Sequence, residues 1–183
     1  AKGVSAEEVE RALDSYPETR AVFITSPTYE GYSCDIRAIA DVAHKRNIPL
    51  IVDAAHGAHF GFSPDFPESA VQAGADIVIM SLHKTLPSLT QTALLHLNGD
   101  LVKEENVQKY LTVYQSSSPS YILMASIDEC VRLVSEMKES DWRDFYERRR
   151  ELSDKLSDLK HITIEDHFSC SGAEVKTDIP EPG

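Results

Sequence analysis

Cysteine is scarce and odd in number. Cys34, Cys130 and Cys170 are three in 183 residues, far apart and without a Cys-x-x-Cys pair. A disulfide framework and a thiol-rich metal site are not expected; the three read as small buried side chains of a reduced, cytoplasmic protein. Positive charge is short as well: 18 Lys and Arg stand against 30 Asp and Glu, a formal charge of −12. Such a surface repels phosphate backbones, so nucleic acid is not an expected partner. The apolar runs AVFI, PLIV and DIVIM are brief. All fall far below the roughly 20 residues of a membrane-crossing helix, so no membrane span is expected. The opening stretch AKGVSAEEVERALDSY is rich in Glu and lacks the apolar centre of a signal peptide. There is no internal repeat, low-complexity tract or evident linker.

What the chain does have is 42% hydrophobic residues, enough to build a core and too many for a disordered chain. Residues 5–15 place Val9, Ala12 and Leu13 on one face behind a capping Ser5, which predicts a helix. AVFITSP (21–27) reads as a buried strand that breaks at Pro27. Asp35 opens a second helix with Ile36, Ile39, Ala40 and Ala43 on one face, and PLIVDAA follows as a second strand. A loop, HGAHFGFSPDFP, leads to a short helix expected at about 67–73 and then to a third strand, DIVIMSLHK. A fourth strand is expected at 92–97, then helices at about 103–113, 120–138 and 141–159, and a last strand at 161–166. Strand and helix in alternation predict an α/β fold, a partial parallel-rich sheet with helices on both faces.

Ligands of such sheets sit at the carboxyl ends of the strands. Those ends carry Thr25-Ser26-Pro27-Thr28-Tyr29, Asp53-Ala54-Ala55-His56 and Ser81-Leu82-His83-Lys84. Asp53 closes an apolar strand, where a carboxylate without a partner costs several kcal/mol. A plain reading pairs it with Lys84 as an ion pair, or makes it a loop cap. The sharper reading is a pyridoxal phosphate site. Lys84 bonds the cofactor aldehyde, and Asp53 holds the proton on the ring nitrogen so that the ring can accept electrons from the substrate. Ala55 is expected to continue the strand and to give the flat ring room, with Ser81 and His83 as phosphate or substrate contacts.

The runs TSPTYEG, PLIVDAAHGAHFGF, SLHKTLPSLTQTALLH and YQSSSPSYILMASID closely resemble the major domain of the bacterial ornithine/lysine/arginine decarboxylases, over roughly residues 1–140. These are pyridoxal phosphate enzymes whose large domain is of fold type I, similar to the aspartate aminotransferases. The resemblance implies that Lys84 is the Schiff-base lysine, Asp53 the ring-nitrogen carboxylate and Ala55 the residue packed on the ring. Ser81, His83 and His56 match cofactor-contacting positions, with the role of His56 open. Thr28 is implied as the contact to the cofactor's phenolic oxygen. Ser116 is implied to reach the phosphate in a neighbouring subunit, which requires a homodimer or higher oligomer with shared sites. The implied substrate is a small basic amino acid and the products are CO₂ and a polyamine-type amine. Residues 1–140 then form part of the large domain without its N-terminal phosphate loop, and 141–183 lead toward a smaller domain. A chain of this extent is expected to hold the cofactor weakly or not at all.

The same residues leave two other readings open: an aminotransferase or lyase on the same cofactor, and a non-catalytic doubly wound module. His59 reads as loop filler or a residue near the substrate entrance. His44 reads as a solvated charge at a helix end, His96 as a satisfied core residue, and Arg148-Arg149-Arg150 as a solvated face. His56 and His59 lack the carboxylate or thiol that would make them a metal pair.

Overall fold

The computed structural model describes residues 3–156 and 159. Helix α1 (Ala6–Ser15) starts at a reciprocal cap: Ser5 Oγ accepts from Glu8 N at 3.2 Å, and Glu8 Oε2 accepts from Ser5 N at 2.8 Å. It buries Val9 and Leu13, while Ala12 stays exposed. Strand β1 (Val22–Thr25) leads to α2 (Ile36–His44), capped by Asp35, whose carboxylate accepts from Ala38 N at 3.0 Å. The buried face of α2 is Ile36, Ile39, Ala40 and Ala43 with Val42 added. Arg46, just past its end, reaches Asp14 of α1 at 2.7 Å.

Strands β2 (Leu50–Asp53), β3 (Ile77–Ser81) and β4 (Ala93–Leu97) complete a four-stranded sheet in the order β1-β2-β3-β4. The first three are parallel, with Thr25 opposite Asp53 and Asp53 opposite Ile79. β4 runs antiparallel to β3, Ser81 facing Ala93. Between β3 and β4 lies a single helical turn, α3 (Leu82–Thr85). Then come α4 (Glu104–Tyr114), α5 (Tyr121–Glu136) and α6 (Glu139–Leu156). Among the described residues no helix is long and apolar enough to cross a membrane.

One sheet face is dry. Ile24, Leu50, Val52, Val78 and Met80 alternate onto it and pack with Val9, Leu13, Ile36, Ile39 and Ala40 of α1 and α2. Ile127 of α5 packs against the same core, and Cys130 one turn on is buried. The second row is Phe23, Ile51, Ile77, Ile79 and Leu95. It is half-buried to open, with Phe23 62% and Leu95 39% exposed. The cover expected on both faces is thus found on one, among the described residues. The apolar character of the second row is nonetheless that of a sheet dry on both sides.

Three further expectations differ from the structure. The helix expected at 67–73 is one turn: Ala73 N donates to Ser69 O and Ala75 N to Ala70 O, and Gly74 at φ +97° turns the chain out of it. The third strand stops at Ser81, so His83 and Lys84 lie on a helical turn and not on extended backbone. Ala55 does not continue β2. The Asp53 carboxylate takes the Ala55 N–H at 3.0 Å and Gly57 N closes onto Ala54 O, which bends the chain into a turn. The strand expected at 161–166 lies outside the described residues.

Candidate functional site

Parallel pairing carries the ends of β1, β2 and β3 to one rim. Ser26 N donates to Asp53 O at 3.0 Å and Ala54 N to Ile79 O at 2.8 Å, so the ladder holds right up to that rim. Asp53 and Ser81 both belong to the less covered row of the sheet. Asp53 is half-buried. One of its oxygens accepts from Ala55 N, and the other has no hydrogen-bond partner among the described residues. Lys84 lies three residues past Ser81 with an exposed side chain. No ion pair joins it to Asp53 or to any other described residue, so of the two plain readings the ion pair is not what the fold adopts, while Asp53 does cap the turn that follows it through Ala55 N.

His83 is fixed by its backbone neighbour. Its Nδ1 lies 3.0 Å from the carbonyl of Thr92, and Leu82 N donates to the same oxygen at 3.1 Å. A carbonyl only accepts, so Nδ1 carries the proton in this contact and Nε2 is left free to take or give one. Thr28 stands at the start of a tight loop: its N–H donates to Tyr32 O at 2.8 Å and its hydroxyl accepts from Tyr32 N at 3.2 Å. The Glu30 carboxyl is lowered below its usual range by its own backbone N–H and then by the Thr28 hydroxyl. Tyr29, 85% exposed on this loop, sets its ring edge-on to His56, centroids 5.6 Å apart. Tyr29 stands among the strand-end residues of the sequence, beside Thr28 in TSPTYEG, but the pattern alone assigns it no role.

The rim therefore gathers Thr28, Asp53, Ala55, His56, Ser81, His83 and Lys84 onto the strand ends and their first turns. Ser116 stands elsewhere, exposed in the turn between α4 and α5, where its hydroxyl engages Ser118 N and O at 3.1 and 3.2 Å. The other histidines need correction. His44 is no solvated charge: its Nε2 lies 2.8 Å from the buried carboxylate of Asp76. His96 is half-buried with Nε2 lacking a partner, and burial lowers its pKa. His59 packs edge-on against Phe60 and Phe66 at 4.9 and 5.0 Å, and burial lowers its pKa also. A cavity of about 430 Å³ between β3, β4 and α5 is lined by Phe60, Met80, Leu82, Leu94, His96 and Cys130. It lies under the dry face and holds few polar groups. Among the described residues no cluster of His, Cys, Asp or Glu is arranged to hold a metal ion.

What this rim can do follows from its groups: an accessible amine and a half-buried acid, held at one edge and not neutralising each other, can grip two separate points of one small polar ligand.

A family profile and curated relatives show the family, and solved structures show the fold. The profile described as Orn/Lys/Arg decarboxylase, major domain, matches residues 1–177. The Bacillus subtilis protein YaaO is 41% identical over 159 residues, covering 84% of this chain and 33% of its own length. An arginine decarboxylase of Halalkalibacterium halodurans is 35% identical over 173 residues, 94% of this chain and 34% of the relative. The chain thus spans about a third of the curated relatives it matches. The fold is similar to that of a Francisella novicida lysine decarboxylase, TM-score 0.60 at 20% identity, over 82% of this chain and 22% of that one. It is similar also to an alanine–glyoxylate aminotransferase of Nostoc, TM-score 0.69 at 15% identity, over 89% and 48%.

Proposed function

This chain belongs to the Orn/Lys/Arg decarboxylase family, matching its major domain, and from that premise we infer that the whole protein is a pyridoxal phosphate-dependent decarboxylase of a small basic amino acid. One observation carries the assignment to these residues. At one rim of the sheet, Asp53 ends β2 with one carboxylate oxygen unused by the described residues, and Lys84 sits on the turn that follows the neighbouring parallel strand β3 with no ion-pair partner among them. Asp53 is half-buried, and the oxygen that Ala55 N does not use is available to a cationic group, which would hold the carboxylate in its ionised form. The residues present fit the cofactor on that ground.

Pyridoxal phosphate, when bound, supplies an aldehyde for an amine and a protonated ring that accepts the electron pair released when the Cα–carboxylate bond breaks. The residues of the chain divide the remaining work. Lys84 would hold the group by its aldehyde. Asp53 would hold the proton on the ring nitrogen. Ala55 presents only a methyl group, leaving space for a flat ring. Thr28, His56 and Ser81 supply polar contacts around it. Lys84 and His83 are the two candidates to deliver the proton that replaces CO₂ at Cα; His83 Nε2, bare while Nδ1–H is engaged by Thr92 O, must first take up a proton before it can give one.

Further parts of the reading rest on the family. The product is a polyamine-type amine and the protein works in the cytoplasm. The exposed Ser116 turn supports a homodimer or larger assembly in which that turn reaches a neighbour's site. Residues 1–140 belong to the large domain, and 141–183, which the major-domain profile still matches as far as 177, lead toward a smaller one.

The test uses the full-length protein loaded with pyridoxal phosphate and given arginine, lysine or ornithine. Lys84→Ala is expected to abolish CO₂ release and to leave the cofactor with the visible absorbance of its free form. Asp53→Asn should lower kcat by about 10²-fold or more. Unchanged CO₂ release from Lys84→Ala overturns the assignment, and keto-acid formation in place of CO₂ turns it toward an aminotransferase.

A further inference from the structure

We propose that Ser126 of α5 is a positioning residue for His83 and Lys84, acting through a closed ring of hydroxyl groups on the segment that follows them. The proposal rests on the reading of Lys84 and His83 as site residues. The ring begins and ends on one residue. Leu89 N donates to Ser126 Oγ at 2.8 Å, and Ser126 Oγ lies 3.2 Å from Ser88 Oγ. Ser88 Oγ lies 2.8 Å from Thr92 Oγ1, and the Thr92 hydroxyl reaches Leu89 O at 2.7 Å. Three side chains and both polar groups of one peptide residue are thereby tied together, across 38 positions of sequence.

Thr92 links this ring to the site. It is 2% exposed, and its carbonyl accepts from Leu82 N and His83 Nδ1. Those two contacts fix the start of α3, the turn that carries Lys84. Leu86 N then closes α3 onto Leu82 O at 2.9 Å, and Ser88 N onto Leu86 O at 2.8 Å. A four-residue helical turn has little stability of its own. Its orientation is set by what holds its two ends, and here one end rests on Thr92 O and the other runs into Ser88. Ser126 is the one member of the ring outside this segment. It anchors the loop to α5, which the Ile127 and Cys130 side chains in turn hold against the sheet.

The consequence is chemical as well as mechanical. The Nδ1–H contact of His83 exists because Thr92 O is held in front of that ring. If the ring of hydroxyls opens at Ser126, Thr92 stays tied to Leu89 O through its N–H at 3.2 Å and its hydroxyl at 2.7 Å, but that loop loses its side-chain anchor on α5, the Thr92 carbonyl in front of His83 moves with it, and the Lys84 turn samples more orientations. The positions of both groups should then depend on a residue that touches neither.

The experiment uses the full-length protein with Ser126→Ala, Ser126→Cys and Ser126→Thr, and Ser135→Ala as control. Ser135 lies on the same helix, and among the described residues its hydroxyl bonds only to Arg132 O, at 2.8 Å. Cysteine is close to serine in size but a much weaker hydrogen-bonding group, so it tests the ring even where alanine prevents folding. The first measurement is amide exchange in the cofactor-free protein. Peptides covering 82–92 should exchange about tenfold faster in Ser126→Ala and Ser126→Cys, the scale of one lost hydrogen bond. Ser126→Thr and Ser135→Ala should match the parent. The second measurement is the pH dependence of kcat in the loaded protein. The profile should move in the alanine and cysteine variants, with KM little changed, and return in Ser126→Thr.

Parent-like exchange in 82–92 for both variants overturns the proposal. Faster exchange with an unmoved pH profile overturns it too, since Ser126 would then hold the loop without setting the site. Failure of the decarboxylase reading is seen separately, as a Lys84→Ala protein that still releases CO₂, and leaves the exchange result to be judged by itself.

Discussion

Replacing Asp76 tests whether the carboxylate at the far end of β3 is a structural anchor. Asp76 is 3% exposed. Its Oδ2 accepts from Leu50 N at 2.7 Å and lies 2.8 Å from His44 Nε2. Leu50 heads β2 and is wholly buried, so its N–H has no water to turn to when the carboxylate is removed. Asp76→Ala should therefore cost about 1–3 kcal/mol for that stranded donor. Loss of the half-exposed His44 contact adds about 0.5–1 kcal/mol. The expected total is about 1.5–4 kcal/mol. Asp76→Asn keeps an oxygen for Leu50 and should cost about 1 kcal/mol. The assay is urea unfolding of the protein followed by the fluorescence of Trp142, the single tryptophan. The site lies at the opposite rim, so cofactor affinity should not change. An alanine variant within about 0.5 kcal/mol of the parent, or an asparagine variant as costly as alanine, refutes the account.

Two smaller tests probe other parts of the fold. Burial lowers the His59 pKa from its usual 6.5, so the folded chain resists a proton that the unfolded chain accepts. Stability from this residue is complete above pH 6.5 and declines as pH falls below it. His59→Leu should flatten that decline, measured as unfolding free energy on either side of the usual value; a slope equal to the parent's rejects the assignment. Ser5→Ala removes the reciprocal cap of α1 and should lower stability by about 1 kcal/mol, read from the same unfolding curves; an unchanged midpoint would mean that the cap contributes nothing.

Much of this architecture was legible in the residues. The Ser5 and Asp35 caps, the α2 stripe and the three apolar strands depend on local pattern, and local pattern is what a sequence displays. The rim constellation was legible for a related reason: a parallel α/β order brings strand ends together whatever the loops do. The misses share a different cause. His44 was read alone, and its partner Asp76 lies 32 positions away on another element. Ala55 was read as strand because nothing in AspAlaAlaHis announces that the Asp side chain will capture the next-but-one N–H. His83 and Lys84 were read as extended because the apolar run flows into them, while the turn that holds them depends on Thr92, across the hairpin. Ser126 carried no signal at all, since a serine on a helix is ordinarily a solvated one.

The ladder between β2 and β3 also acts as a ruler. Asp53 faces Ile79 by backbone hydrogen bonds, and Lys84 follows Ile79 through a fixed count of residues, so the span from acid to amine is a matter of strand alignment and not of loop length. The connecting segment beyond His56 can drift, gain residues or lose them, and the span survives. A slip of a single position along the ladder would shift the amine by about 3.3 Å and turn Asp53 and Ser81 to opposite sides of the sheet. Natural variation in this protein should therefore collect in the crossover and avoid the two short strands it joins.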